Sequence, residues 1–270
     1  MASISEQGIR IYLQKVNTVG SRIDCFESVD STNAYLKRIA SEDAPDGTVA
    51  VAAAQTAGRG RRGRTFQSAA GKGVYLSVLL RPTLTPEQLM PLTGLCAVAM
   101  CDAVECACGV RPQIKWTNDL ILNGKKLGGI LTELGMENGK LSYVIIGIGI
   151  NVSQQTEDFE GEVADFATSL ERELKRGVSK NELAAAMIDS LDALYADLKS
   201  SSTMDYVEYY RRDCVTLGKD IQLLWQDVHE KVFALDVDEQ FGLVVRREDG
   251  TIDTIRTGEV SVRGLYGYVN

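Results

Sequence analysis

Seven consecutive residues, Gly58-Arg59-Gly60-Arg61-Arg62-Gly63-Arg64, constrain this chain more than any other stretch. Such a mixture of glycine and arginine suits neither a helix nor a strand. Glycine tolerates positive φ and lets a ligand come close to the backbone. Arginine surrounds that backbone with planar, permanently charged donors. The stretch is therefore predicted to be a loop that wraps something small and anionic. Guanidinium groups this close repel one another, which favours an anion between them over a merely solvated basic loop. The glycines also predict a lid that is mobile when empty and ordered once an anion arrives.

The loop is an exception to its surroundings. The 270 residues carry a formal net charge of −8, a poor basis for general nucleic-acid binding, which needs basic surface to displace counterions. The length suggests one large domain, or one with a small appendage. Residues 1–10 show no signal peptide. The most apolar runs, around Leu89–Met100 and Tyr143–Val152, read as too short or too interrupted to span a bilayer. Cys96, Cys101, Cys106 and Cys108 fall in one apolar helical stretch with no zinc-like spacing, and the single histidine, His229, is distant in sequence. The cysteines read as reduced, small core residues, which places the chain in a reducing cytoplasm.

In chain order, a short helix is expected within Ile4–Lys15 and a strand over Ile23–Ser28. Asp30-Ser31-Thr32-Asn33 caps a helix Ala34–Ala40, although one cap needs only one such residue. A strand Val49–Gln55 runs into the Gly/Arg loop, and Val74–Leu80 follows it. A buried helix is predicted from Thr85-Pro86-Glu87 to Cys108, ending at Gly109. Gln113–Trp116 is a short strand. Leu120–Leu122 and Lys126–Leu134 form a hairpin around a type I′ Asn123-Gly124 turn. Gly128 and Gly129 within that strand suggest close approach of a backbone or a ligand. Leu141–Val152 is a strand containing Gly147-Ile148-Gly149-Ile150-Asn151. Ser179 and Glu182 form a capping box for a helix to Lys199, and Met204–Arg212 forms another. Ile221–Trp225, Val228–Val237, Phe241–Arg246 and Ile252–Arg256 then read as the strands of a small barrel or sandwich. The fold class is α/β (α+β) with a small all-β appendage, divided at 1–213 and 214–270.

The Gly/Arg loop lacks the Lys-Ser/Thr of a P-loop, and no convincing helix follows Gly58-x-Gly60-x-x-Gly63 as a dinucleotide site requires. No Ser/His/Asp or Cys/His set can be assembled. Lys115-Trp116-Thr117-Asn118-Asp119 forms a second constellation, with Lys126 across a hairpin turn from Asp119; the plain alternative is a surface salt bridge. What remains is chemistry by positioning and charge neutralisation, such as nucleotidyl transfer, with one carboxylate available for magnesium.

Asp30–Asn33, Gln55–Arg64, Lys115–Leu120, Lys126–Leu131 and Gly147–Asn151, in this order and spacing, resemble the bacterial biotin protein ligases. The resemblance extends to Gly258-Glu259-Val260-Ser261-Val262-Arg263. It implies a mixed sheet flanked by helices, of the class II aminoacyl-tRNA synthetase-like biotin–lipoate ligase type, with a C-terminal SH3-like β-barrel. It implies that biotin and MgATP give biotinoyl-adenylate, and that a lysine of biotin carboxyl carrier protein takes the acyl group. Ser31, Thr32, Asn33, Gln55, Arg59, Gly60, Arg61, Lys126, Gly129 and Leu131 would then face biotin. Arg61, Arg64, Phe66, Asn118, Lys126, Gly147, Asn151 and Arg263 would face the nucleotide. Arg59, Arg61, Lys126 and Asp119 would be catalytic, Asp119 by holding magnesium or orienting the incoming lysine. Thr117 stands where the family often has proline, and Phe66 where a better-known member has tryptophan. The N-terminal extension is too short for the helix-turn-helix module of many members, so no DNA binding is expected. No membrane association is expected, and the state is monomer or homodimer. A lipoate or octanoyl ligase shares the fold, and a biotin-sensing repressor is the non-enzymatic alternative.

Overall fold

The computed structural model describes residues 3–14, 16–200, 202–225, 228–256, 261–264 and 268–269. Its helices are α1 (Glu6–Arg10), α2 (Thr32–Ala40), α3 (Leu92–Cys108), α4 (Val163–Phe166), α5 (Leu170–Leu174), α6 (Lys180–Ser200) and α7 (Met204–Asp213). Its strands are β1 (Ile23–Phe26), β2 (Thr48–Ala52), β3 (Gly73–Leu80), β4 (Gln113–Lys115), β5 (Asp119–Leu122), β6 (Lys125–Glu137) and β7 (Lys140–Asn151), followed by β8 (Asp220–Trp225), β9 (Val228–Val237), β10 (Leu243–Arg246), β11 (Ile252–Ile255) and β12 (Ser261–Gly264). The first seven form one mixed sheet in the order β1-β2-β3-β7-β6-β5-β4. The remaining five form an antiparallel sheet ordered β11-β10-β9-β8-β12. Helices therefore flank a mixed sheet and a small all-β unit follows, as the α/β reading requires.

The two faces of the large sheet differ because strand side chains alternate. Val74, Leu76 and Val78 of β3, with Ile146, Ile148 and Ile150 of β7, join the main core with the buried residues of α3 and α6. On the opposite face Leu79 and Ile145 pack under Leu36 and Ala40 of α2. Further along that face the side chains shrink. Ser77 of β3 pairs with Gly147 of β7, which pairs with Leu131 of β6; one step on, Gly149 pairs with Tyr75 and with Gly129. The glycines of these pairs, Gly129, Gly147 and Gly149, become the floor of a pocket.

Several boundaries differ from expectation for local reasons. Helix α1 is five residues long, and Ile11 beyond it is exposed. Helix α2 begins at Thr32, with the Ser31 hydroxyl accepting from the Ala34 amide at 3.5 Å. A short 3-10 turn over Glu87–Leu89 precedes α3, which starts at Leu92 behind Pro91; proline suits a helix start and not an interior. The stretch Glu87–Cys108 is, in length and composition, apolar enough to cross a membrane, contrary to the sequence expectation. Here it is largely buried inside the protein. Cys106 is exposed rather than a core residue, whereas Cys96, Cys101 and Cys108 are buried. The hairpin turn at Asn123-Gly124 is as predicted, with positive φ at both residues (50° and 75°). Gln226 and Asp227, between the strands expected over Ile221–Trp225 and Val228–Val237, and the residues Gly258, Glu259 and Val260 lie outside the described residues.

Candidate functional site

The Gly/Arg loop folds as a tight hairpin over the glycine floor. Arg59 bridges Thr65, the Gly60 amide donates to the Arg64 carbonyl at 2.7 Å, and the Phe66 amide donates to the Gly58 carbonyl at 3.0 Å. Positive φ at Arg62 (58°) and Gly63 (73°) turns the chain. A Cβ on Gly58 would lie 2.4 Å from the Phe66 carbonyl oxygen, so glycine is what lets the two arms close. Beneath the hairpin is a cavity of about 240 Å³.

One end of this cavity is neutral and polar. Ser31 alone caps α2, which releases Thr32 and Asn33 to face inward. The Thr32 amide and hydroxyl both donate to Gln55 Oε1, at 2.9 and 3.1 Å. Ser77 Oγ lies 2.6 Å from both Thr32 Oγ1 and Asn33 Oδ1, and its one proton goes to one of them. Asn33 Nδ2 donates to Glu133 Oε2 at 2.7 Å. Gln55 Nε2 donates to Ser68 Oγ, which donates to the Phe66 carbonyl. The network thus ties the start of α2 to the root of the Gly/Arg hairpin. Gly147 is what makes room: a Cβ there would lie 2.1 Å from Asn33 Oδ1. Gly149 does the same for the Phe66 ring, whose Cε1 would be 2.5 Å away.

The other end is charged. Lys126 Nζ donates to Asp119 Oδ1 at 2.7 Å, with the two side chains 25% and 16% exposed. A bulge between Leu120 and Ile121 puts Asp119 opposite Gly129 in the strand register, so the pair meets across the hairpin diagonal. Tyr268 donates to the other carboxylate oxygen. The Tyr268 ring stacks on Phe166 with centroids 4.3 Å apart and planes 3° off parallel. Its face also lies 3.3 Å from the ammonium of buried Lys115, a cation–π contact. Burial alone would raise the Asp119 pKa, but Lys126 and Lys115 outweigh it and hold the carboxyl below its ordinary value. Arg61 bonds Asn118 Oδ1 at 2.6 Å and Thr117 Oγ1 at 3.3 Å, and Asn118 Nδ2 donates to the Ile130 carbonyl. Burial lowers the Arg61 pKa, partly opposed by Asp119; a guanidinium remains charged regardless. Asn151 is 5% exposed and held by the Thr168 carbonyl and by Gln154.

Ser31, Thr32, Asn33, Gln55, Arg59, Gly60, Arg61, Arg64, Phe66, Asn118, Asp119, Lys126, Gly129, Leu131, Gly147 and Asn151 all line this one cavity. Arg263 falls on β12, and its side chain lies outside the described residues. The Asp119–Lys126 pair is part-buried inside the pocket rather than a surface salt bridge. Sequence reasoning missed Phe159 and Val163, which line the cavity, Phe166 and Tyr268, which wall its charged end, and Ser77 and Glu133, which support the neutral one.

A mixed sheet thus carries a glycine-floored pocket, neutral and polar at one end and charged at the other, the kind of site that can hold an uncharged polar group beside anionic ones. The sequence profile of the biotin/lipoate A/B protein ligase family matches residues 25–151. A bifunctional ligase/repressor BirA of Bacillus spizizenii is 33% identical over 247 residues, covering 92% of this chain and 76% of that protein. A biotin--[acetyl-CoA-carboxylase] ligase of Mycobacterium tuberculosis is 32% identical over 246 residues, covering 88% of each. The solved biotin protein ligase of Aquifex aeolicus in complex with biotin and ATP superposes with a TM-score of 0.77 at 28% identity, covering 90% of this chain and 99% of that one. The chain belongs to the biotin/lipoate A/B protein ligase family.

Proposed function

We propose that the chain is a biotin protein ligase, which activates biotin with ATP and transfers it to a lysine of a biotin carboxyl carrier protein. The observation that carries this reading is one cavity joining the neutral Thr32–Asn33–Gln55 network to the Arg61, Lys126 and Asp119 cluster. Biotin has the matching halves: an uncharged ureido ring and a carboxylate at the end of an apolar chain. In the first step the carboxylate oxygen attacks the α-phosphorus of ATP and pyrophosphate leaves. In the second, a neutral lysine amine attacks the acyl carbon of the mixed anhydride and AMP leaves with the bonding electron pair.

Both reactants of the first step are anionic, so bringing them together requires fixed cations. Arg59, Gly60 and Arg61 on the hairpin would close over the carboxylate and phosphate, with Lys126 at their junction. Ser31, Thr32, Asn33 and Gln55 would bond the ureido ring, with Gly129 and Leu131 along the chain. Phe66 would cover the adenine, while Arg64, Asn118 and Asn151 would meet the nucleotide; Gly147, beneath Asn33, would lie under the biotin end. A magnesium ion would neutralise phosphate charge. Asp119 would offer it a carboxylate that Lys126 and Tyr268 already hold in place, which fits an ion that draws most of its ligands from water and phosphates; no group of three acidic, His or Cys side chains that could hold a metal ion occurs among the described residues. Residues 1–213 would form the biotin- and ATP-binding unit and 214–270 the small unit. The free thiols suit a reducing cytoplasm.

The test is exchange of pyrophosphate into ATP by the purified chain, with biotin and, separately, with lipoate. Biotin-dependent exchange is expected, with none above background for lipoate. Exchange driven by lipoate alone, or by neither, overturns the reading.

A further inference from the structure

Glu133 lies behind the neutral end of the pocket. We propose that it is a positioning residue that fixes which end of the Asn33 amide the substrate meets. The inference rests on biotin being the substrate.

An asparagine side chain presents a donor at one end and an acceptor at the other, and a half-turn exchanges them. In an unconstrained site both settings are open. Here Asn33 is 4% exposed, so a wrong setting would leave polar atoms unpaired and costly. Glu133 Oε2 lies 2.7 Å from Asn33 Nδ2. A carboxylate only accepts, so the amide nitrogen must turn toward it. Asn33 Oδ1 is thereby directed toward Ser77 Oγ, 2.6 Å away, and over the floor at Gly147. The second pocket amide is fixed independently. Gln55 Nε2 is held by Ser68, which leaves Gln55 Oε1 to accept twice from Thr32. Asn33 thus turns its carbonyl oxygen over the pocket floor, while the Gln55 carbonyl oxygen is already taken by Thr32. A ring bearing N–H donors matches that polarity, and a ligand offering only acceptors at this depth does not.

Position and register explain why Glu133 can serve here. It sits on β6 opposite Ile145 of β7, two residues beyond the Leu131–Gly147 pair that floors the pocket. Its side chain therefore shares the pocket face without occupying the pocket. It is absent from the cavity lining, so it acts through Asn33 and not on the substrate.

The experiment uses the full chain with Glu133→Ala and Glu133→Gln, measured by biotin-dependent pyrophosphate exchange. Alanine removes the acceptor and frees the Asn33 amide to turn away from its set orientation; the expected result is a biotin KM raised roughly tenfold, the effect of losing one hydrogen bond between Asn33 and the ring. The ATP KM and kcat stay within about twofold, as for an interaction made equally in ground and transition states. Glutamine keeps the shape and can present either end, so its biotin KM falls between parent and alanine. If the alanine variant does not fold, judged by circular dichroism, the near-isosteric glutamine variant alone decides. A biotin KM unchanged in every folded variant overturns the inference, as does an ATP KM that rises equally. A parent protein without biotin-dependent exchange overturns the biotin reading itself, which distinguishes the two failures.

Discussion

Asp119 shows how far one residue's environment departs from its sequence neighbourhood. Its carboxylate is shared between Lys126 and Tyr268, with Lys115 close by. Its folded pKa is below the unfolded one, so its ionised form is favoured by folding. That contribution is fully present above the ordinary carboxylate value and is lost as pH falls through the lower folded pKa. In urea titrations from pH 7 down to about pH 3, Asp119→Asn is expected to lose less stability than the parent, while starting less stable at pH 7 because two lysines lose their counter-charge. Parallel curves for the two proteins would refute this account. Most partners in the charged cluster lie within one hairpin, so Asp119 and Lys126 were legible from spacing. Tyr268 was not, because it reaches the site from 149 residues away, and no local pattern encodes such a distance. Glu133 and Ser77 were hidden for another reason: they look like ordinary strand residues until the register aligns them with Gly147 and Asn33.

At the scale of elements, the Gly147-Ile148-Gly149 segment explains the pocket's depth. Neither glycine has positive φ, so backbone conformation does not demand glycine there; space does. A methyl on Gly147 would meet Asn33 Oδ1 and one on Gly149 would meet the Phe66 ring. Both alanine variants are expected to fold with a circular dichroism spectrum like the parent's. Gly147→Ala should raise the biotin KM by roughly tenfold or more by displacing Asn33, and Gly149→Ala should raise the ATP KM by a similar factor by tilting Phe66. If both variants shifted the two constants alike, the division of the floor into two ends would be wrong. The strands themselves were readable because β-branched runs and the Asn123-Gly124 turn carry local signals. The short helices α4 and α5 were not: four- and five-residue helices have too little periodicity to read, and tertiary packing holds them, Val163 and Phe166 of α4 at the pocket and Leu170 of α5 in the main core.

The whole molecule is held together across its two sheets by Phe241. It is 1% exposed and sits edge-on to Tyr210 with centroids 4.9 Å apart. Its carbonyl accepts from Trp116 Nε1 at 2.8 Å. It also lies so close to α3 that a Cβ on Gly94 would fall 2.4 Å from the ring. Trp116 in turn lines the pocket and receives a second tie, its amide donating to Thr216 Oγ1 at 3.0 Å. Ile114 pairs with Cys214 at the same junction. The buried residues of both sheets, from Ile130 and Leu120 to Leu223 and Leu243, accordingly form one continuous core cluster. A shared core of this kind predicts a single unfolding transition rather than one per sheet. Phe241→Ala should cost roughly 3–5 kcal/mol, lowering the midpoint by on the order of 10 °C for a chain of this size. The Phe241 carbonyl survives the substitution, so the loss reports packing and not the Trp116 hydrogen bond. Calorimetry and circular dichroism should follow the same midpoint in parent and variant. A parent that melts in two separated steps would mean that the small sheet is stable apart from the pocket it adjoins. Coincident melting, with weakened pyrophosphate exchange in Phe241→Ala below its midpoint, would place the small sheet among the elements that hold Trp116 against the reacting groups.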